Sequence, residues 1–327
     1  MLLVYDAIMV ITHGELLIDF VPTVTGVGLL DAPAFIKAPG GAPANVAAGL
    51  ARLGVPAGFL GQVGDDPFGR FLAQTLRDAG VDVTTLSFSG QARTALAFVS
   101  LRADGERDFM FYRHPSADML FSVAEVDAHA TALRAAQAFH FGSISLIGEP
   151  ARAATLRAIA LAREGGALIT YDPNLRLPLW RSAEAARAGM LLGLEHAAIV
   201  KVSEEELAFL TGASDEAEAL ARLWRPRLKL VAITRGAAGS TYVTPRFKGN
   251  VPGLPVLAVD TTGAGDAFMA GLLRGVLADP AVLEAEDELF QVYRFANAAG
   301  ALAATKRGAI PALPFPEDVY RLLANLT

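Results

Sequence analysis

AQAFHFGSIS (residues 136–145), GALITYDPN (166–174), HAAIVKVS (196–203) and LKLVAITRG (228–236) are short apolar runs that decide the fold. Between them lie windows rich in Ala, Leu, Arg and Glu, such as ARAATLRAIALARE (151–164) and SAEAARAGMLLGL (182–194). Strands that are polar on neither face, alternating with helical windows, predict a parallel sheet covered by helices on both sides. Ligands of such sheets gather beyond the carboxyl ends of the strands. Asp172, Asn174, Ser203, Thr234 and Gly236 fall there. Two segments break the rhythm: residues 20–37 and 91–116 carry Gly/Pro turns and strand-like alternation without intervening helices. In the second, TALAFVSLR and RDFMFYR flank the turn Ala103-Asp104-Gly105, a hairpin signal. These segments predict a small antiparallel β lid standing off a main α/β domain formed by 1–19, 38–90 and 117–327. The apolar face of such a lid needs covering by substrate, by the main domain or by another subunit.

The chain has 327 residues, 53% of them hydrophobic and 19% charged, which excludes intrinsic disorder. A formal net charge of −6 argues against nucleic acid and anionic membranes as partners. The absence of cysteine removes disulfides, thiolate metal sites and cysteine nucleophiles. The opening run MLLVYDAIMVITHGE is interrupted by Asp6, His13 and Glu15 and has no basic leader, so neither a spanning helix nor a signal peptide is expected. These features predict a soluble, cytoplasmic protein. No G-x-x-x-x-G-K-[ST], H-E-x-x-H or G-x-S-x-G occurs, and the five histidines are scattered.

Two stretches carry chemistry. Asp260-Thr261-Thr262-Gly263-Ala264-Gly265-Asp266-Ala267-Phe268 follows LPVLAVD and opens a helical run. Small residues at 263–265 let the backbone approach a ligand, and the helix N-terminus offers unpaired N–H groups and partial positive charge to a phosphate. Asp266, in the first turn, is placed to accept a proton from a hydroxyl attacking that phosphorus; the plain alternative is a helix cap. The second stretch, GGAPANVAAGLARLG (40–54), sets a glycine pair before an alanine-rich helix. Its glycine N–H groups and Asn45 suit hydroxyls of a neutral polyol, whereas Ala47 to Gly54 read as close helix–sheet packing.

Both stretches resemble the two signatures of the ribokinase-like (PfkB) family of carbohydrate kinases. GELLIDFVPT (14–23), RTALAFVSLRADGERDFMFYRHPSADML (93–120), GSISLIGEP (142–150), YDPNLRLPLW (171–180) and KVSEEELAFLTG (201–212) are similar to segments of its fructokinase members, in the same order. The resemblance implies a three-layer α/β sandwich with a central, mostly parallel sheet and a small antiparallel β lid. It implies ATP-dependent phosphorylation of a free sugar, D-fructose to fructose 6-phosphate, with Mg²⁺ and with K⁺ as a further cation. A 2-keto-3-deoxygluconate kinase, a ribokinase, a nucleoside kinase and a non-catalytic sugar-binding relative are the alternatives.

Carried over by residue, Asp266 matches the base, and Gly263, Ala264 and Gly265 match the anion hole. Asp19, with Gly40, Gly41 and Asn45, matches the sugar pocket, where a carboxylate suits a neutral polyol; Asp19 could instead be a turn residue. Arg113, in the lid, and Arg176, beyond a strand, are cations for substrate or phosphate, against the alternatives of surface and ion-pair roles. Thr234, Gly236 and Gly239 match the nucleotide loop, and Asn297 a residue beside the adenine. Ser203 and Glu206 fall on the family's N-x-x-E, which organises Mg²⁺ and phosphate through water; serine at the first position departs from it. Asp260, Thr262, Ala303, Lys306, Gly308 and Ala312 match positions of a monovalent cation site. Pairing of two lids implies a homodimer.

Overall fold

The computed structural model describes residues 10–101 and 107–325. Thirteen strands are present among them: β1 (Val10–His13), β2 (Leu17–Pro22), β3 (Phe35–Gly40), β4 (Ala57–Gly64), β5 (Leu86–Ser89), β6 (Leu96–Leu101), β7 (Arg107–Tyr112), β8 (Ala138–Gly142), β9 (Leu168–Asp172), β10 (Ile199–Ser203), β11 (Leu230–Thr234), β12 (Gly239–Val243) and β13 (Lys248–Pro252). Nine form one sheet in the order β13-β12-β11-β10-β9-β8-β1-β4-β5. Its pairings are parallel except those of β12 with β11 and β13.

Both faces are dry, as the unbroken apolar runs required. In β10, Ile199 belongs to one buried cluster and Val200 to the other; in β11, Leu230 and Ala232 oppose Val231 and Ile233. One face is covered by helices Ala42–Arg52, Ala264–Ala278 and Glu286–Ala303. Close packing was expected of Ala47 to Gly54 against the sheet, and at Gly49 it is with a helix: a Cβ there would lie 2.8 Å from that of Ala270, while one on Gly271 would lie 2.9 Å from the Ala296 backbone. This stacking sets the N-termini of the first two helices side by side.

β3, β2, β6 and β7 form a separate four-stranded sheet. β2 pairs antiparallel with β3 and β6 with β7, while β2 and β6 run parallel. The 20–37 and 91–116 segments therefore meet, and Asp19 itself lies within β2. The turn Ala103-Asp104-Gly105 lies outside the described residues. Leu17, Ala95 and Ala97 are buried on one face; on the other Phe20 stacks on Phe98, which Phe35 and Tyr112 meet edge-on. Ile36, Met110 and Tyr112 remain largely exposed.

Candidate functional site

The helix Ala264–Ala278 begins at Gly263, whose φ of 79° is a conformation that L side chains disfavour. A Cβ there would lie 2.8 Å from that of Ala309, so the loop is both left-handed and tightly backed. The first-turn N–H groups of this helix have no intrahelical acceptors; that of Ala264 donates back to Thr261 O at 3.2 Å, and the others, with the helix dipole, suit an anion. Lys201 joins them: a Cβ on Gly265 would come 3.1 Å from its Nζ. The Lys201 ammonium donates to Asp172 Oδ2 at 2.7 Å, and both side chains are buried. Burial works to lower the lysine's pKa, but Asp172, Glu206 and Asp266 outweigh it and hold the group above its ordinary range.

Asp266 is buried in the first turn, and its Oδ2 accepts from Asn45 Nδ2 at 2.8 Å. Gly263 occupies the cap position, so the carboxylate serves the helix Ala42–Arg52 across the site instead of capping its own. Burial pushes the Asp266 pKa up to about 6, and Asp172 pushes in the same direction. The Asn45 bond, Lys201 and Arg176 oppose the rise. A group so poised is suited to general-base work near neutral pH.

Asp19 stands on the same sheet face as Leu17 and Gly40, through the register Leu17↔Gly40 and Asp19↔Ala38. A Cβ on Gly40 would fall 2.2 Å from Asp19 Oδ2, so glycine is required for the carboxylate to lie there. Burial raises its pKa to about 6, moderated by Arg176. Arg176 thus acts electrostatically on both Asp19 and Asp266. Gly41 has φ 115°, and Asn45 Oδ1 is buried without a partner among the described residues. Arg113 follows β7 but is buried and ion-paired with Asp118, which also accepts from Ser116 Oγ at 2.5 Å. It is an internal cation at the root of the small sheet, and the pair with Asp118 is the ion-pair alternative weighed from the sequence.

On the other side of Lys201, Ser203 and Glu206 form a reciprocal capping box: Glu206 N donates to Ser203 Oγ at 3.1 Å and Ser203 N to Glu206 Oε2 at 2.8 Å. Glu206 Oε1 accepts from Leu175 N at 2.7 Å, tying this helix start to the turn carrying Asp172 and Arg176. Thr234, Gly236 and Gly239 lie at the β11–β12 turn; a Cβ on Gly239 would meet Val251 O at 2.2 Å. Arg235 braces that turn through ion pairs to Glu204 and Glu216. The Asn297 amide is engaged by protein groups, Oδ1 with Ser240 Oγ and Nδ2 with the carbonyls of Val251 and Pro252. Its bonds hold β13 against the helix.

Asp260 joins two loops: Oδ1 accepts from Thr262 N and Oγ1, and Oδ2 from Gly308 N at 2.9 Å. This brings Gly308, with Ala303, Lys306 and Ala312 near it in sequence, beside the anion-hole loop. Lys201 was not singled out from the sequence, and Asp172 was marked only by its place past the carboxyl end of a strand. The signal for Lys201 was an ionisable side chain inside HAAIVKVS, a strand with no solvent face.

A bare helix N-terminus set beside two buried carboxylates is the candidate site, and the chain that carries it is a sugar kinase by its family and relatives. It belongs to the pfkB family of carbohydrate kinases, whose profile matches residues 7–316. Fructokinase-1 of Oryza sativa subsp. japonica is 56% identical over 97% of this chain and 98% of its own length. The crystal structure of a fructokinase with bound ATP from Xylella fastidiosa superposes with a TM-score of 0.88 at 36% identity, covering 98% of this chain and 99% of that one. A double mutant of the Vibrio cholerae O395 fructokinase, with fructose, ADP and potassium ion bound, gives 0.86 at 36% identity over 98% and 99%. Among the described residues no helix is long and apolar enough to cross a membrane.

Proposed function

We propose that the chain transfers the γ-phosphoryl group of ATP to the 6-hydroxyl of free D-fructose. The observation that carries this reading is Asp266, buried behind Gly263-Ala264-Gly265 and bonded to Asn45 of the sugar-side helix. Fructokinase relatives, one solved with ATP and one with fructose and ADP, support it. Asp266 accepts the proton of the attacking hydroxyl, while Asn45 holds its carboxylate in place. Gly41 N–H and Asp19 orient the neutral sugar. Lys201, Arg176 and the helix N–H groups stabilise charge on the transferred phosphoryl, where catalysis is chiefly positioning and electrostatics. Arg113 is neutralised by Asp118, which leaves Arg176 without the second cation that a sugar acid such as 2-keto-3-deoxygluconate would need.

Mg²⁺ would arrive with the triphosphate and neutralise its oxygens. Glu206, with both oxygens on backbone N–H groups, would act on it through water. K⁺ would sit between the Asp260–Thr262 loop and the 303–312 segment, tightening the anion hole; the potassium-bound relative supports this. We also read the small sheet as a lid that pairs with a second copy, on the ground of its exposed Met110 and Tyr112, which share one face, and the enzyme as cytoplasmic. An ADP-release assay over fructose, ribose, 2-keto-3-deoxygluconate and adenosine tests the substrate. Fructose should lead in kcat/KM by at least about tenfold, a discrimination within reach of one or two well-placed polar contacts. Preference for any other member overturns the assignment.

A further inference from the structure

We propose that Glu15 is a positioning residue for phosphoryl transfer: its carboxylate holds the start of the helix Ala42–Arg52 and thereby sets Asn45 against Asp266. The inference rests on the sugar-kinase reading with Asp266 as base. Glu15 lies between β1 and β2 and is 4% exposed. Its Oε1 accepts from Ala42 N at 3.0 Å, the first N–H of that helix. Gly41, at the cap, supplies no side-chain acceptor, so a carboxylate arriving from 27 residues upstream does the work of a cap. The two segments also lie backbone to backbone, the carbonyl of Glu15 standing 2.3 Å from where a Cβ on Gly41 would be. One turn into the helix, Asn45 donates to Asp266. A shift of the helix start is therefore transmitted to the base.

The second oxygen of Glu15 has no partner among the described residues and borders a cavity of about 170 Å³. Arg113, whose Nε is likewise unpartnered, lines the same cavity with Asp118 and Gln62. Burial pushes the Glu15 pKa up to about 7, with Arg113 pulling it down and Asp118 pushing it up. A neutral carboxyl still accepts at Oε1, so the hold on Ala42 survives protonation.

The test compares Glu15→Met, which fills the space without an acceptor, with Glu15→Gln, which keeps a carbonyl oxygen for Ala42. In full-length enzyme, Glu15→Met should raise the KM for sugar roughly ten- to a hundredfold, the scale of one charge-assisted hydrogen bond lost. The KM for ATP should stay within about twofold, and Glu15→Gln should recover most of the loss. Because the Asn45 bond lowers the Asp266 pKa, the acid limb of kcat/KM should move to higher pH in Glu15→Met and stay in Glu15→Gln. Asp172, Lys201 and Arg176, which also act on Asp266, are untouched by either change. Equal loss in both variants, or an unmoved limb with an unmoved sugar KM, overturns the proposal. Wild-type enzyme inactive on every sugar would instead overturn the functional reading on which it stands.

Discussion

Replacing Asp266 with asparagine separates its chemical role from any structural one, because the two move rate and stability in opposite senses. The side chain is buried, and its pKa stands at about 6 against an ordinary 3.8. For an acid raised in the folded state, the ionised form opposes folding. That penalty is absent below about pH 4, grows through the window from 4 to 6 and is complete above it. At about 1.4 kcal/mol for each tenfold in acidity, the ceiling is about 3 kcal/mol. An amide escapes the penalty, yet it can still accept from Asn45 through its oxygen. Its NH₂ would then face the Lys201 side and return part of the gain. Melting temperature at pH 8 should be unchanged or a few degrees higher, and the difference from wild type should vanish by pH 4. Turnover should fall by about 10²–10⁴, the contribution of a positioned base. Coupled ADP release at saturating fructose and ATP, beside thermal melts at pH 4, 6 and 8, measures both. The wild-type kcat/KM should decline below about pH 6, in step with protonation of this carboxyl. A variant that melts earlier yet turns over at near-native rate would refute the base assignment and leave Asp266 a structural partner of Asn45.

Lys201→Met should lower kcat at least about tenfold and raise the KM for ATP. It should also cost about 3–5 kcal/mol, because Asp172 is left charged and buried. Adding Asp172→Asn should return the melting temperature without the rate, and return of both would remove Lys201 from the reaction. K⁺ should stimulate activity more than Na⁺ by ordering the Asp260–Thr262 loop, and equal rates in K⁺, Na⁺ and a bulky organic cation would dispose of that site. Light scattering at micromolar concentration should report a dimer that Met110→Lys with Tyr112→Lys weakens, whereas a fully active monodisperse monomer would count against the lid contact.

Local pattern was enough for the α/β sheet. Within LKLVAITRG, residues 230–233 are apolar without a break, so Val231 and Ile233 must be buried on one face while Leu230 and Ala232 are buried on the other. It was enough, too, for the helix N-terminus at Gly263 and the acid beside it, because glycine spacing and first-turn position are read within a few residues. Strand content in 20–37 and 91–116 was legible from alternation and turns. The parallel pairing of β2 with β6 was not, since a register that sets Ile18 against Leu96 leaves no local trace in either segment.

Partnerships of polar side chains were decided only by the tertiary structure. Asn45 and Asp266 sit 221 residues apart, and the stacking of two small-residue helices brings them to 2.8 Å. Glu206 could be read as a surface or a magnesium-side glutamate, and its bond from Leu175 N appears only once that turn is folded against it. Arg113 read as a lid cation until Asp118 folded beneath it. Glu15 carried no motif signal, because its role depends on Ala42 arriving from another strand's end. Backbone preference and hydrophobic period act over a few residues and are written in order along the chain. A buried charge answers to whatever the fold sets beside it, and that neighbour exists only once the chain has closed on itself.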